Sequence, residues 1–161
     1  MMKLPPVIAV VGGSQVDPET MALAEAVGRE IALAGAWLIC GGLGGVMEAA
    51  SRGAQMAGGM TIGILPGTDR TMANPHIALA IATGLGEGRN LIIIHNADAI
   101  IAVDGEWGTL SEIAFARKVG KPVIGVRTWA LQRPDGQPAD ILVAQSPKEA
   151  VEMALKAIRR R

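Results

Sequence analysis

Residues 37–50 read WLICGGLGGVMEAA, and this stretch shows a pattern that recurs along the 161-residue chain. The apolar run Trp37–Cys40 is followed by Gly41-Gly42-Leu43-Gly44-Gly45 and then by Val46–Ala57, which we predict to be a helix. Short apolar runs without alternation are typical of strands that are covered on both faces, as in parallel sheets. The stretch therefore predicts a buried parallel strand, a glycine-rich turn and a helix.

The same alternation of strand and helix extends in both directions. Start signals mark two helices: an N-cap and proline in Asp17-Pro18-Glu19, and a capping box in Ser146-Pro147-Lys148-Glu149. Alternating strands and helices predict a right-handed βαβ series, and hence a single doubly wound, Rossmann-like α/β domain over residues 1–161 with a mostly parallel sheet of six to seven strands. The predicted strands are Val7–Val11, Trp37–Cys40, Met60–Leu65, Ile77–Ala82, Ala99–Val103 and Pro122–Val126. The predicted helices run from Asp17 to about Gly35, over Val46–Ala57, Arg89–Asn96 and Leu110–Val119, and from Ser146 to about Ile158.

Charge and composition argue against several classes of partner. Fifteen basic residues balance fifteen acidic ones, and the one basic run, Arg159–Arg161, is typical of a solvated helix end, so we expect no nucleic-acid partner. The N-terminus carries Lys3 and a five-residue apolar run after Pro5-Pro6, too short for a signal peptide or a membrane span. A single cysteine, Cys40, and two isolated histidines predict no metal site. We therefore expect a cytoplasmic protein without a membrane partner.

Three glycine clusters fall where predicted strands end and helices begin. They are Gly12-Gly13-Ser14, Gly41–Gly45 and Gly105-Glu106-Trp107-Gly108-Thr109. In open α/β sheets ligands bind outside the carboxyl ends of the strands, and glycine lets backbone N–H groups approach an anion closely. The dinucleotide fingerprint is absent, because Gly42-x-Gly44 follows the second strand and has Met47 where the third glycine belongs. The clusters therefore predict a phosphate-type site that is not an NAD site.

Three charged residues near these clusters have two interpretations each. Glu112 follows Thr109 by three, which is the spacing of a capping box, but the carboxylate could also hold a ligand hydroxyl or act as a general acid or base. Arg89 could clamp a phosphate or be a solvated surface residue. Glu48, in the helix after the second cluster, could face the site or solvent. The polar stretch Gly67–Pro75 is a candidate mobile loop over the site. The predicted ligand-binding residues are Gly12, Gly13, Ser14, Gly41, Gly42, Gly44, Gly45, Glu48, Arg89, Gly105, Gly108, Thr109 and Glu112.

At these residues the sequence resembles the lysine-decarboxylase-like Rossmann superfamily, which includes the LOG cytokinin-activating phosphoribohydrolases and the molybdenum cofactor carrier proteins. The resemblance spans about residues 6–127. It is carried by Val10–Ser14, Gly41–Glu48, Gly88-Arg89-Asn90 and Asp104–Glu112, the last corresponding to the signature PGGxGTxxE. The short chain, the Arg89-Asn90 pair and the Gly-Thr-Leu-Ser-Glu run are closer to the carrier branch.

Two departures from the superfamily pattern bear on function. Asp104-Gly105-Glu106 stands where the signature has Pro-Gly-Gly, which puts a carboxylate where a phosphate is expected. Either Glu106 points away, or the phosphate lies at another loop, or a cation bridges the two. In the hydrolase branch an Arg-Lys pair works with the signature Glu on the ribose phosphate. Arg89 and Glu112 match two of these residues, but Asn90 replaces the Lys.

The resemblance implies two functions, and the spacing of residues alone supports only anion binding. The first is a carrier-type binding protein for a phosphorylated, nucleotide-like ligand, with the molybdenum cofactor as carried ligand. The second is a phosphoribohydrolase that cleaves the N-glycosidic bond of a nucleoside 5′-monophosphate, with Arg89 and Glu112 catalytic. A nucleotide-binding sensor is a third possibility. The superfamily also implies a homo-oligomer; Leu91–Ile94 with Ile113–Phe115 could supply its interface, or could equally belong to the monomer core.

Overall fold

The centre of the molecule is a seven-stranded parallel sheet. The structure is a computed structural model that describes residues 4–160; Lys3 and Arg161, which entered the arguments about the N-terminus and the basic run, lie outside the described residues. The strand order is β4-β3-β2-β1-β5-β6-β7, and every pair is parallel. The strands are β1 (Val7–Gly12), β2 (Trp37–Cys40), β3 (Thr61–Leu65), β4 (Leu79–Ala82), β5 (Ala99–Val103), β6 (Val123–Val126) and β7 (Leu142–Val143).

Five α-helices cover the two faces of this sheet. They are α1 (Pro18–Leu33), α2 (Val46–Met56), α3 (Arg89–Asn96), α4 (Trp107–Lys118) and α5 (Pro147–Arg159), and short 3₁₀ turns lie at Arg70–Met72 and Gly86–Gly88. The predicted doubly wound, Rossmann-like α/β fold is therefore confirmed. The seventh strand was not located from sequence, because β7 has two residues, both exposed at the sheet edge, and so leaves no apolar run.

The hydrophobic core consists of two layers, one on each face of the sheet. Helices α1, α2 and α5 pack on one face, and α3 and α4 pack on the other. Helices α1 and α2 come unusually close to each other. A Cβ on Gly28 of α1 would collide with the carbonyl of Ala50, and a Cβ on Gly53 of α2 would collide with the carbonyl of Glu25. Ile93, Ile94 and Ile113 are fully buried in the second layer. Burial within the monomer therefore accounts for most of the apolar face that the sequence offered as an interface.

The strand order fixes where a ligand can bind. From β1 the chain builds β2, β3 and β4 on one side, and then returns to place β5, β6 and β7 on the other. The order thus reverses between β1 and β5, and Gly12 at the end of β1 is the register partner of Val103 at the end of β5. A crevice outside the carboxyl ends of the strands forms at such a switch point. The first and third glycine clusters begin at these two strand ends.

One helix begins earlier than its sequence predicted. Helix α4 starts at Trp107 rather than Leu110, with Glu106 as the N-cap residue and no side-chain capping bond. Thr109 is therefore the third residue of the helix and not its cap, so the capping box predicted from the Thr109–Glu112 spacing does not form. Because the capping interpretation is wrong, the carboxyl group of Glu112 needs another account.

Candidate functional site

A cleft of about 210 Å³ lies at the switch point between β1 and β5. Seven of the predicted ligand-binding residues line it: Gly12, Gly13, Ser14, Arg89, Gly108, Thr109 and Glu112. Six others do not line it: Gly41, Gly42, Gly44, Gly45, Glu48 and Gly105. The three glycine loops thus meet at the cleft, where the second loop contributes Leu43 and the third contributes Glu106 and Gly108.

The first two glycine loops are packed against each other. Gly45, the residue before α2, has φ +64°, and a Cβ there would overlap the backbone of Gly13 and Ser14. The N–H of Val46 donates to the Gly13 carbonyl at 3.0 Å, and a Cβ on Gly12 would lie 2.7 Å from the side chain of Val46. Only glycine is compatible with this approach of backbone to backbone. These glycines therefore shape the floor of the cleft.

The side chain of Arg89 bonds to the backbone near the ends of β2 and β3. Its side chain is 9% exposed; Nε donates to the carbonyl of Ile64 at 2.8 Å, and Nη2 to that of Gly41 at 3.4 Å. A third donor, Nη1, bonds Oδ1 of Asn90. Burial lowers the pKa of the guanidinium, and the nearby carboxylate of Glu112 opposes that effect. Arginine has five N–H donors, so two remain for a ligand after these bonds within residues 4–160.

Gly41 has no side chain because the guanidinium occupies that space. A Cβ at Gly41 would lie 2.5 Å from Nη2 of Arg89 and 2.7 Å from Sδ of Met47. The glycine of the second cluster therefore serves the placement of the arginine, a role that the sequence could not reveal.

Glu112, like Arg89, is a residue of the cleft whose pKa is shifted by burial. It lies half-buried on α4, one turn inside the helix. Burial raises the pKa of its carboxyl group to about 7, and the positive charge of Arg89 limits the increase. A carboxyl group that exchanges its proton near neutral pH can hold a ligand hydroxyl or act as a general acid or base.

The third loop brings a second carboxylate to the cleft. Glu106 is exposed, and its Oε1 lies 2.9 Å from the position a Cβ would take on Gly13. The side chain therefore points across to the first loop and does not point away. Beside it, the Thr109 residue is 2% exposed and lines the cleft, and its hydroxyl forms no hydrogen bond within the described chain.

Gly105 is directed away from the cleft. A Cβ at Gly105 would lie 2.7 Å from Nε1 of Trp129, an indole nitrogen that is buried and has no hydrogen-bond partner among residues 4–160. The preceding Asp104 has φ +55°, and its carbonyl accepts a bond from the hydroxyl of Thr128. Asp104 and Gly105 thus form the turn that aims α4 at the cleft.

Besides Glu106, four residues that line the cleft were not predicted from the sequence to bind the ligand. Leu43 and Met47 lie within or just after the second glycine cluster, and their sequence neighbours do not show which way their side chains point. Asn90 was part of the resemblance to the carrier branch and a departure from the hydrolase pattern, but it was not predicted to bind the ligand. Glu87 lies in the 3₁₀ turn before α3, for which the sequence has no signal. The four are Leu43, Met47, Glu87 and Asn90.

The stretch Gly67–Pro75 lies beside the second loop and contributes no residue to the cleft. The backbone N–H of Asn74 donates to the carbonyl of Gly42, and its side-chain amide to that of Leu43, both at 2.9 Å. This stretch lines a separate depression of about 710 Å³ next to β3 and β4. The prediction that it lies over the site is therefore wrong, because Asn74 ties it to the outer side of the second loop.

Three further observations concern membrane spans, metal ligands and other depressions among the described residues. No helix between residues 4 and 160 is long and apolar enough to cross a membrane. Over the same residues, no group of three or more His, Cys, Asp or Glu side chains is arranged to hold a metal ion. A wider depression of about 570 Å³ lies on the outer surface of α1 and α2, but the polar groups converge on the smaller cleft.

Comparison with known proteins gives one family match and one relative of similar length. The profile of the SLOG cluster4 family matches residues 5–151. An uncharacterised protein of Archaeoglobus fulgidus is 41% identical over 150 residues, covering 93% of this chain and 95% of its own.

Two solved structures are similar over their whole length. The molybdenum cofactor binding protein from the phototrophic bacterium Rippkaea orientalis is 36% identical with a TM-score of 0.87, covering 98% of this chain and 99% of its own. The molybdenum cofactor carrier protein from Chlamydomonas reinhardtii is 31% identical with a TM-score of 0.82, covering 97% and 99%.

Proposed function

The chain belongs to the SLOG cluster4 family, and on that premise we propose that it is a binding protein for a phosphorylated, nucleotide-like small molecule, with the molybdenum cofactor as the carried ligand. The convergence of three glycine-bearing loops and Arg89 on one cleft supports anion binding. Likeness to a molybdenum cofactor binding protein and to a carrier protein supports the choice of ligand. On this proposal residues 1–161 form one cofactor-binding domain of a cytoplasmic protein.

The observation that carries the proposal is the N-terminus of α4. Its capping residue, Glu106, makes no side-chain bond to the helix, and the first free backbone N–H groups are those of Trp107, Gly108 and Thr109. Free N–H groups and the helix dipole favour an anion at this position. The hydroxyl of Thr109, which lines the cleft, and the remaining N–H groups of Arg89 supply further donors.

Thr109→Val tests the site with little change in shape. Isothermal titration calorimetry with AMP should show an affinity lower by about fivefold to fiftyfold, because one buried donor is lost. Ser111→Ala is the matched control, since Ser111 is exposed on the same helix and bonds only its own backbone neighbour, Gly108. Equal affinities for the two variants would remove the Thr109 hydroxyl from the site.

The identity of the carried ligand has its own test. Native mass spectrometry of the protein from cells supplied with molybdate should show a bound species that contains molybdenum and pterin. Copurification of an ordinary nucleotide, with no molybdenum species, would contradict the carrier proposal.

A second candidate function rests on Glu112. A carboxyl group with a pKa of about 7, set beside the guanidinium of Arg89, suits general acid–base catalysis at a glycosidic bond. In a phosphoribohydrolase Arg89 would orient the ribose phosphate and Glu112 would stabilise the oxocarbenium-like transition state or transfer a proton. Release of adenine from AMP that disappears in Glu112→Gln would establish this enzyme and exclude a pure carrier.

We also propose that the protein is a homo-oligomer. The outer surface of α1 and α2 is a candidate contact, because Leu33 and Met56 are 60% and 75% exposed there, beside the 570 Å³ depression. Light scattering should give a mass that is a multiple of the 16.6 kDa chain. If a Met56→Lys variant stays oligomeric, the interface lies on another surface of the protein.

A further inference from the structure

The charges around the cleft do not suit a bare phosphate. Three carboxyl groups line it, those of Glu87, Glu106 and Glu112, against one guanidinium, that of Arg89. The guanidinium already donates to two backbone carbonyls and to Asn90. An anionic ligand that reaches the N-terminus of α4 therefore meets more negative than positive charge, and it needs a compensating cation.

Glu106 is placed to interact with such a cation. Its side chain does not cap α4, which is the ordinary role of a carboxylate at that position, and it accepts no hydrogen bond within residues 4–160. Instead its Oε1 lies against Gly13, on the rim shared by the first and third loops. The carboxylate is exposed, and it makes no side-chain bond to the helix at the place where the free N–H groups of α4 and the hydroxyl of Thr109 would hold a phosphate.

Magnesium is commonly bound by one or two carboxylates together with the phosphate of a ligand, and not by a cage made of protein groups alone. Within residues 4–160 no group of three or more His, Cys, Asp or Glu side chains is placed to hold a metal ion by itself, so the proposed site needs the phosphate of the ligand as well.

From this geometry we infer that the cleft takes its phosphorylated ligand as a complex with a divalent cation, and that Glu106 is the protein carboxylate that contacts the cation. The inference rests on the proposed phosphate-binding function and adds the ionic form of the ligand. The phosphate lies on the N-terminus of α4, the cation lies between the phosphate and Glu106, and Glu106 thereby selects against the uncomplexed anion.

Mn²⁺ serves as the spectroscopic probe, with AMP as the phosphorylated probe. In electron paramagnetic resonance the signal of free Mn²⁺ should fall when the protein and AMP are both present, and should fall much less with the protein alone or AMP alone. In Glu106→Gln the three-component mixture should leave the signal close to the sum of the two controls. A matched control is Glu152→Gln, since Glu152 is exposed on α5 and does not line the cleft.

Calorimetry with AMP separates this inference from the function on which it rests. In the wild type we expect MgCl₂ in place of EDTA to strengthen AMP binding about tenfold, and in Glu106→Gln the difference should shrink to about threefold or less. AMP binding that is equal in MgCl₂ and EDTA, or Mg²⁺ dependence retained in Glu106→Gln, would overturn the cation inference alone. No AMP binding in either buffer would overturn the phosphate site itself, and the inference with it.

Discussion

The two walls of the cleft are built on different principles. The glycine wall, formed by residues 12–14 and 41–47, is packed backbone against backbone, and a Cβ on Gly12 or Gly45 would overlap its neighbours. The α4 wall, formed by residues 106–112, is open: a Cβ on Gly108 would meet nothing within 4 Å, and Glu106 is exposed. The glycine wall therefore fixes the shape of the cleft, and on the proposed function the α4 wall supplies the groups that discriminate between ligands.

This difference changes the meaning of the glycine clusters. In the first two clusters the glycines are required for the fold of the loops. They also leave the space that the side chain of Arg89 and the first residue of α2 occupy. In the third cluster the glycine at 108 leaves the N-terminus of α4 accessible. A similar motif can thus be structural in one loop and functional in another, which is a distinction that depends on the neighbours of each glycine.

The largest effect is expected from Gly45→Ala in the glycine wall. The φ of +64° and the overlap with Gly13 and Ser14 should lower the free energy of unfolding by about 3 kcal/mol or more. Gly108→Ala is the matched control, and because it lies in a helix with open space it should change that free energy by no more than about 1 kcal/mol. Urea denaturation measures both, and comparable losses would erase the contrast between the walls.

Arg89→Met should have the next largest effect. It leaves the buried carbonyls of Ile64 and Gly41 without this donor, so we expect the free energy of unfolding to fall by about 2–3 kcal/mol. The exposed Arg159 on α5 provides the control Arg159→Met, for which the change should stay within about 0.5 kcal/mol. Arg89 would be a ligand-binding group without a structural role if the two variants unfolded at the same urea concentration.

Glu112→Gln should have a smaller effect that depends on pH. Because burial raises the pKa of Glu112 from 4.5 to about 7, the folded protein keeps a proton that the unfolded chain has lost between these values. The free energy of unfolding contributed by this group therefore falls as pH rises from about 4.5 to 7. At pH values above about 7 the variant should be more stable than the wild type by about 1–2 kcal/mol, after allowance for solvent in the cleft. Thermal denaturation across this range checks it, and a constant difference at all pH values would contradict the burial of the carboxyl group.

Much of the fold could be predicted because its signals are local. The apolar runs at Val7, Trp37 and Ala99 each became a buried parallel strand, and the cap at Asp17 began α1, where its carboxylate accepts from the N–H of Thr20 at 2.7 Å. The start of α4 was mispredicted because Thr109 and Glu112 have capping-box spacing, whereas the helix begins at Trp107 without a side-chain cap. Spacing alone does not show which of two nearby residues begins a helix.

For the site, the sequence by itself determined which loops carry glycine, that Glu106 and Glu112 follow the fifth predicted strand and that Arg89 begins a predicted helix, because residue type and periodicity are properties of the chain. The tertiary structure decided what these groups do. Strand order brought the loops after β1 and β5 together. Packing directs Nε and Nη2 of Arg89 to the carbonyls of Ile64 and Gly41. Burial raises the pKa of Glu112 to about 7. Contacts between residues distant in sequence set the direction of a side chain and its solvation, and neither quantity can be read from local sequence.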